Sequence, residues 1–594
     1  MGSTAEKALK GGSFLVDDVF PDQMYTPEDM TDEQKMMAKT TEDFIAKEVL
    51  PHIETLEKQD FELTKKLLKK AGDLGLLGAD VPEDYGGIGL DKISSALITE
   101  KFAAARSFSL SYGAHVGIGS LPIVLFGTED QKKKYLPDLA TGNKFAAYAL
   151  TEPGSGSDAL GAKTVAKLND AGTHYILNGE KQWITNSGFA DVFVVYAKID
   201  GEKFTAFIVE RDYPGVSTGA EEKKMGIKAS STRTLILEDV PVPIENILGE
   251  PGKGHKVAFN ILNIGRYKLA VGCVGACKLG VELAVRYANE RKQFGKPISD
   301  FTLIQNKLAN MAIKAYVTES SVYRTVGLFA DRMDHLSKEE INDGAKVAAA
   351  IAEYAIECSL NKVFASEALD EIADEAVQIH GGYGYMSEYA VETMYRDSRI
   401  NRIFEGTNEI NRLLVPSQLL RKTMKGELPL LEKAQTLQEE LMMMMPEEPG
   451  DAPLDKEKYI LKNAKKVFLM VAGLGVQKFG QALEDEQELL ANVADIVGLI
   501  YAMESAIVRT EKAGQKIGVD KNQHKYLMAE VYCQEAFQEI ERLAKESLLM
   551  AEEGDGLRMM LSALRKLTRL TPSNVTLKKR QIAAKLIDAN TFVV

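Results

Sequence analysis

Apolar positions recur at helical spacing through the first stretch of the chain, give way to short β-branched and aromatic runs, then return to helical spacing. Thr31-Asp32-Glu33-Gln34 has the form of a capping box ahead of a long amphipathic pattern, which predicts a helix start. The loop "VPEDYGGIGL" interrupts that pattern with Pro82, Gly86 and Gly87, and helical signals resume through "TEDQKKKYLPDLATG". From Tyr148 to about Leu248 the runs "HYIL", "DVFVVYAKI", "FTAFIVE" and "TLILEDVPV" are separated by turn signals, and Asn178-Gly179 predicts a hairpin. From Gly254 to about Lys425 Ala, Leu and Ile again fall at helical spacing. Pro446 to Asp455 ("PEEPGDAPLD") reads as a linker, and beyond it Val493, Ile496, Val497, Ile500, Met503 and Ile507 share one apolar helix face. The expected fold is mainly α with a central β domain. Its parts are an N-terminal helical domain (1–147), a middle β domain (148–253), a helical bundle (254–430), and a linker with a C-terminal helical extension (431–594).

Composition narrows this picture. With 594 residues, 45% hydrophobic and 27% charged, the chain has ample material for several packed domains. A net charge of −14 and a pI near 5.3 argue against nucleic acid as the main partner. Four cysteines (Cys273, Cys277, Cys358, Cys533) are too few and too scattered for a disulfide framework, which favours a reducing compartment. Cys273 and Cys277 stand one helical turn apart in an apolar stretch without a nearby His, so core packing is expected there and no metal site. "MGSTAEKALKGG" lacks the apolar core of a signal peptide, and the run Val467 to Val476 is too short to span a bilayer. The expected location is cytoplasmic. Met442 to Met445 is expected to be adaptable packing.

The candidate chemistry lies in Arg402-Ile403-Phe404-Glu405-Gly406-Thr407-Asn408. Gly406 lets the backbone approach a ligand, and Thr407 or Asn408 can cap the helix that follows. A glutamate beside Phe404 at such a break can have its pKa raised toward working pH, as a general base requires. Taken alone, the stretch also reads as a glutamate in an ordinary helix-entry loop. No Walker A sequence and no G-x-G-x-x-G after a strand is present. Instead "YALTEPGSGSD" opens the β domain, with Gly154, Gly156 and the hydroxyls of Thr151, Ser155 and Ser157 offering close approach to an anionic or heteroaromatic ligand. Trp183, the only tryptophan, follows in "KQWITNSG", where it can pack in the core or stack on a planar cofactor.

Together "YALTEPGSGSD", "WIT", "ERKQFGKPISDF", "QIHGGYGY" and "RIFEGTNEI" resemble the acyl-CoA dehydrogenases in order and spacing, as do "VPEDYGGIGL" and "LEDVPVPIENILG". The resemblance covers roughly residues 30–425. "KMGIKASSTRT", "ILNIGRYKLA" and the C-terminal extension are most similar to the very-long-chain branch. The resemblance implies FAD bound between domains and across a subunit interface, hence a homodimer or homotetramer. It implies flavin contacts from Tyr148, Leu150, Thr151, Gly156, Ser157, Trp183, Ile184 and Thr185, with Thr407 and Asn408 nearby. Arg291, Gln293 and Phe294, with Gln378, Gly381 and Gly382, would hold the adenine and pyrophosphate portion from the neighbouring subunit. Glu405 would take the α-proton of an acyl-CoA while the β-hydrogen leaves as hydride. The thioester oxygen would be stabilised by the Glu405 backbone N–H and a flavin ribityl hydroxyl. Ser157, Asn263, Arg266, Phe404 and Gly406 would face the substrate. Some relatives place the base just before an arginine of an earlier helix; Gly265 stands there, before Arg266. His380 occupies a position that is variable in the family.

The expected reaction is α,β-dehydrogenation in fatty-acid β-oxidation, with electrons passed to an electron-transfer flavoprotein. An acyl-CoA oxidase of similar architecture, using dioxygen, is the alternative. A DNA-associated flavin relative would need a basic C-terminal domain, and a catalytically dead assembly factor would not need Glu405. Small residues in "HVGIGSLPIVLFG" (Gly117, Gly119, Ser120) predict room for a long acyl tail, while Pro122 departs from the very-long-chain pattern. The extension corresponds to a region linked to membrane association in that branch. Its acidic connector "EELMMMMPEEPGD" would be repelled by an anionic leaflet, so a dimer-stabilising role is the other expectation.

Overall fold

The computed structural model describes residues 8–443 and 448–594. The first helical part holds α1 (Asp32–Phe44), α2 (Phe61–Asp73), α3 (Lys92–Phe102), α4 (Phe108–Gly113), α5 (Leu121–Phe126) and α6 (Glu129–Thr141). Thr31 caps α1 as its sequence predicts: Thr31 Oγ1 accepts from Gln34 N–H, and the Gln34 side chain returns to Thr31 N–H. Between α4 and α5 the helix widens into a π turn, Ala114–Gly119, a form that recurs at functional sites.

The middle of the chain forms one eight-stranded sheet: β1 (Ala146–Ala149), β2 (Val165–Leu168), β3 (His174–Thr185), β4 (Val192–Ile199), β5 (Lys203–Glu210), β6 (Val216–Thr218), β7 (Thr232–Pro243) and β8 (Ile247–Leu248). The order is β6-β7-β3-β2-β4-β5-β8, with β1 parallel to β4. The four β-rich runs read from the sequence all lie in strands. The hairpin expected at Asn178-Gly179 does not form: both residues lie inside β3, where the β3–β7 register slips. Asn178 exchanges hydrogen bonds with Asp239 (3.0 and 2.9 Å), and a Cβ on Gly179 would strike the Thr164 side chain. Here the Asn-Gly pair builds a bulge, a role its local chemistry serves equally well. The turn into β3 instead uses Asn169 and left-handed Gly172.

The second helical part holds α7 (Gly254–Glu290), α8 (Thr302–Asp334), α9 (Ala355–His380), α10 (Ala390–Ser398) and α11 (Asn408–Met424). Next come α12 (Leu430–Met443), α13 (Asp455–Phe479), α14 (Gln487–Ile517), α15 (Gln523–Ala551), α16 (Gly554–Leu567) and α17 (Val575–Ala589). α7 packs along α9, and α14 packs on α8 and α11, so the extension closes directly on the bundle. Val493, Ile496, Val497, Ile500, Met503 and Ile507 are all buried, as their shared face predicts. The run 108–126 and helix α14 are long and apolar enough to cross a bilayer by length and composition, but most of each is buried against protein. All four cysteines are free and buried, and no group of three or more potential metal ligands occurs among the described residues. Met444 and Met445 of the methionine run lie outside the described residues.

Candidate active site

Glu405 and Gly406 are consecutive left-handed residues (φ +58° and +79°) immediately before α11. For a glutamate that conformation costs roughly 1–2 kcal/mol and persists only where surroundings enforce it. Three polar side chains do so. Asn411 Nδ2 donates to Gly406 O (2.8 Å) and Thr407 O (3.0 Å), and Lys362 Nζ donates to Gly406 O (2.8 Å). Arg266 Nε donates to Glu405 O (3.3 Å). Thr407 caps α11 by accepting from Ile410 N–H (3.2 Å).

The turn throws the Glu405 side chain into a cleft of about 250 Å³ that opens to solvent. Its Oε2 is sealed from solvent with no hydrogen-bond partner. Burial raises the Glu405 pKa to about 7, opposed only in part by the positive charges of Arg266 and Lys362. Gly265 faces the carboxylate from α7, and a Cβ there would collide with both carboxylate oxygens' neighbourhood. Positions 265 and 405 therefore share one space, and a side chain added at 265 would displace the Glu405 carboxylate from its present position.

One face of α7 lines the cleft through Gly265, Leu269, Gly272, Ala276, Leu279 and Leu283. Opposite stand Leu110, Gly113, Ala114 and Gly117 of α4 and the π turn. The expectation for the small residues is thus corrected in part. Gly117 lines the cleft, but Gly119 packs on Ala146 of β1, and buried Ser120 donates to His115 O (2.8 Å). Pro122 lies in the first turn of α5 and is buried outside the lining.

Thr185, at the end of β3, lines the same cleft. Just before it the β3–β7 register breaks between Lys181 and Ile184, and Trp183 takes a left-handed conformation (φ +59°). That bulge turns the Trp183 side chain outward, 60% exposed, while Ile184 stays in the core. The 151–158 loop is tied to β3 through buried Glu152, which accepts from Lys181 Nζ (2.6 Å) and Thr164 N–H (3.0 Å). Gly154 and Gly156 have open space where side chains would stand, and Ser157 is exposed. Tyr148 rests edge-on against Tyr196 with its hydroxyl buried and unpartnered. Leu150 is buried and Thr151 half-buried.

Arg291, Gln293, Phe294, Gln378, Gly381 and Gly382 do not line the cleft; all are exposed, Phe294 at 93%. The fold nevertheless joins their two segments: Arg291 lies over the Tyr383 ring (5.5 Å), and Tyr287 stacks on His380 (4.0 Å). That stacking, and the bond from His380 Nδ1 to Ala376 O, give His380 a packing role. Asn263 Oδ1 accepts from Arg266 (3.0 Å), so this pair is fixed together beside Gly265. Asn408, expected beside the cofactor, has both ends of its amide engaged by protein: Lys362 Nζ (2.7 Å) on Oδ1, with Ser366 and Glu367 on Nδ2. Lys362 and Asn411, which hold the turn, lie in unremarkable helix sequence and were not among the expected site residues. Only the need to brace a left-handed Glu-Gly pair points to them.

Four domain models match in chain order: the acyl-CoA dehydrogenase N-terminal domain over 31–143, the middle domain over 147–240, and acyl-CoA dehydrogenase C-terminal domains over 252–420 and 463–566. The chain belongs to the acyl-CoA dehydrogenase family. A probable acyl-CoA dehydrogenase of Bacillus subtilis (strain 168) is 69% identical over 594 residues, covering 100% of both chains. The mitochondrial very long-chain specific acyl-CoA dehydrogenase of Macaca fascicularis is 37% identical over 558 residues, 89% of this chain and 82% of that one. An acyl-CoA dehydrogenase from Bacillus anthracis, solved in complex with FAD, superposes with a TM-score of 0.98 at 70% identity, over 99% of this chain and 100% of that one. This acyl-CoA dehydrogenase is an FAD-dependent oxidoreductase. Its own residues fit the flavin: Trp183 turns outward at a strand bulge two residues before cleft-lining Thr185, Gly154 and Gly156 have no neighbours where side chains would stand, and the Tyr148 hydroxyl and Glu405 Oε2 are buried without a partner.

Proposed function

We propose that this dehydrogenase acts on long-chain acyl-CoA with Glu405 as the α-proton acceptor. The observation that carries this reading is the unpartnered Glu405 Oε2 at the head of a long apolar cleft. A base with a pKa of about 7 is ionised in useful amount near neutrality and still basic enough to take a weakly acidic α-proton. Bound FAD would supply the acceptor for the β-hydrogen. Trp183, Ile184, Thr185 and the Tyr148 to Ser157 loop would hold it, with Arg291, Gln293, Phe294, Gln378, Gly381 and Gly382 serving the site of a neighbouring subunit. The exposure of Phe294 supports a covering partner, hence a homo-oligomer.

Glu405 presents its carboxylate to the α-carbon and excludes water by the sealed walls around Oε2. As the proton moves to Glu405, its N–H would donate to the enolate-like thioester oxygen. Arg266, itself fixed by Asn263, steadies the backbone that carries the base and stands outside the cleft lining.

Acyl length follows from the lining of α7. Gly265 to Leu283 spans five turns, about 27 Å. An extended chain advances ~1.2 Å per bond, so the groove takes a long acyl tail. Its side chains bury each methylene for ~0.8 kcal/mol. Electrons would then pass to an electron-transfer flavoprotein in β-oxidation. The test uses the yellow holoenzyme: palmitoyl-CoA should bleach the flavin band far faster than butyryl-CoA, without release of hydrogen peroxide on aerobic turnover. A preference for butyryl-CoA refutes the chain-length reading, and peroxide in step with turnover refutes the acceptor.

A further inference from the structure

The Glu405-Gly406 turn is strained, and one of the three side chains that brace it is a buried cation. Lys362, on α9, is fully buried (0% exposed), yet no carboxylate pairs with it among the described residues. Its ammonium instead donates to neutral oxygens, Gly406 O (2.8 Å) and Asn408 Oδ1 (2.7 Å). A buried lysine without an ion partner is expensive and retained only where its charge acts on something. Arg266 and Cys273 face it from α7, Glu409 from α11, and Glu405 from the turn itself. Glu405 is the carboxylate among them that lacks any bond of its own.

We propose that Lys362 is a positioning residue for the base: it locks the left-handed Glu405-Gly406 turn from behind and holds a positive charge behind the carboxylate. The inference rests on the reading of Glu405 as the base. The tether fixes Gly406 O and the first residue of α11, so the Glu405 side chain has one exit, into the cleft. The charge favours ionised Glu405. Burial lowers the Lys362 pKa to about 8, partly countered by Cys273 and Glu405, so the lysine is charged where Glu405 ionises. Proton transfer to Glu405 removes the carboxylate charge that Lys362 stabilises, so its field must be modest, as placement behind the backbone makes it.

Three holoenzyme variants separate tether from charge. Lys362→Gln keeps an amide donor and loses the charge, Lys362→Arg keeps the charge, and Lys362→Met loses both. Flavin content is read from absorbance, and flavin reduction by palmitoyl-CoA is followed by rapid mixing as a function of pH. Lys362→Gln should keep the limiting rate at high pH but move the acid limb of the profile upward by about one unit. Lys362→Met should show that shift and lose roughly 10²-fold in limiting rate with FAD retained. Lys362→Arg should leave the limb in place. An unmoved acid limb in both neutral variants overturns the proposal, as does a Lys362→Met rate near wild type. Loss of FAD without a limb shift in Lys362→Gln makes the role merely structural and also overturns it. Glu405→Gln is run beside them: if it reduces flavin normally, the base assignment itself has failed, whatever the lysine variants do.

Discussion

Glu319 is buried and Glu405 half-buried with its Oε2 sealed, and the two carboxylates of the helical bundle differ in what touches them. Glu319 (2% exposed) bonds to Arg509 (2.8 Å) and Lys278, and Arg509 also grips Glu28 of the N-terminal arm (2.9 Å). Burial works to raise the Glu319 pKa, but Arg509 and Lys278 outweigh it and hold the group below the ordinary glutamate range. At Glu405 burial prevails, because Arg266 and Lys362 bond to backbone and amide oxygens and act on the carboxylate only from a distance. Cations in contact make a carboxylate a structural clamp; the same cations set behind a backbone turn leave it a base. Glu357 adds a control. Burial raises it to about 7 as well, but its carboxylate accepts from Gly12 N–H (2.7 Å) and lies outside the cleft. A raised pKa without access to a substrate is not a site.

The clamp should break most severely. Arg509→Met removes the cation shared by buried Glu319 and half-buried Glu28 but leaves each a lysine, Lys278 and Lys525, so it costs about 1.5–3 kcal/mol and should lower the unfolding midpoint in urea. Both carboxylates have lowered folded pKa values, so their stabilisation is present above the ordinary value of ~4.3 and lost as pH falls through the folded ones. The gap between wild type and Arg509→Met should therefore narrow in acid. A pH-independent gap would mean the guanidinium acts by packing alone.

Gly265→Ala attacks the other side of the comparison. The added Cβ must displace the Glu405 carboxylate, and flavin reduction should fall by roughly 10²-fold with FAD content and melting temperature nearly unchanged. Retained rate would show that the carboxylate does not work from the observed position. Glu357→Gln should do least: flavin reduction within about 2-fold of wild type, and slightly higher stability at pH 8 than at pH 5 relative to the parent. The sign follows from its raised folded pKa, which makes the charged form unfavourable as pH rises from ~4.3 through about 7.

What could be read from the chain was local. Thr31-Gln34 and Thr407 are caps whose side chains and targets lie within three residues, and the strand runs carry their own period. Glu405 announced itself by a Phe-Glu-Gly-Thr-Asn break and by its agreement with distant family motifs. Local chemistry failed where two local answers are equally good, as at Asn178-Gly179, which suits a bulge as well as a hairpin. It also failed where a helix face had to be assigned across a π turn: one extra residue per turn rotates Gly119 and Ser120 away from the cleft that Gly113, Ala114 and Gly117 line. The long-range pairs were invisible. Nothing near Arg509 in sequence points to Glu28, and nothing near Lys362 points to Gly406.

The most direct measurement is the reduction of enzyme-bound flavin by palmitoyl-CoA in Glu405→Gln. The variant keeps the shape of the cleft and removes only the proton acceptor, so it should bind FAD and acyl-CoA while the flavin band bleaches roughly 10⁴-fold more slowly. Bleaching at the wild-type rate would contradict the account and move the base elsewhere.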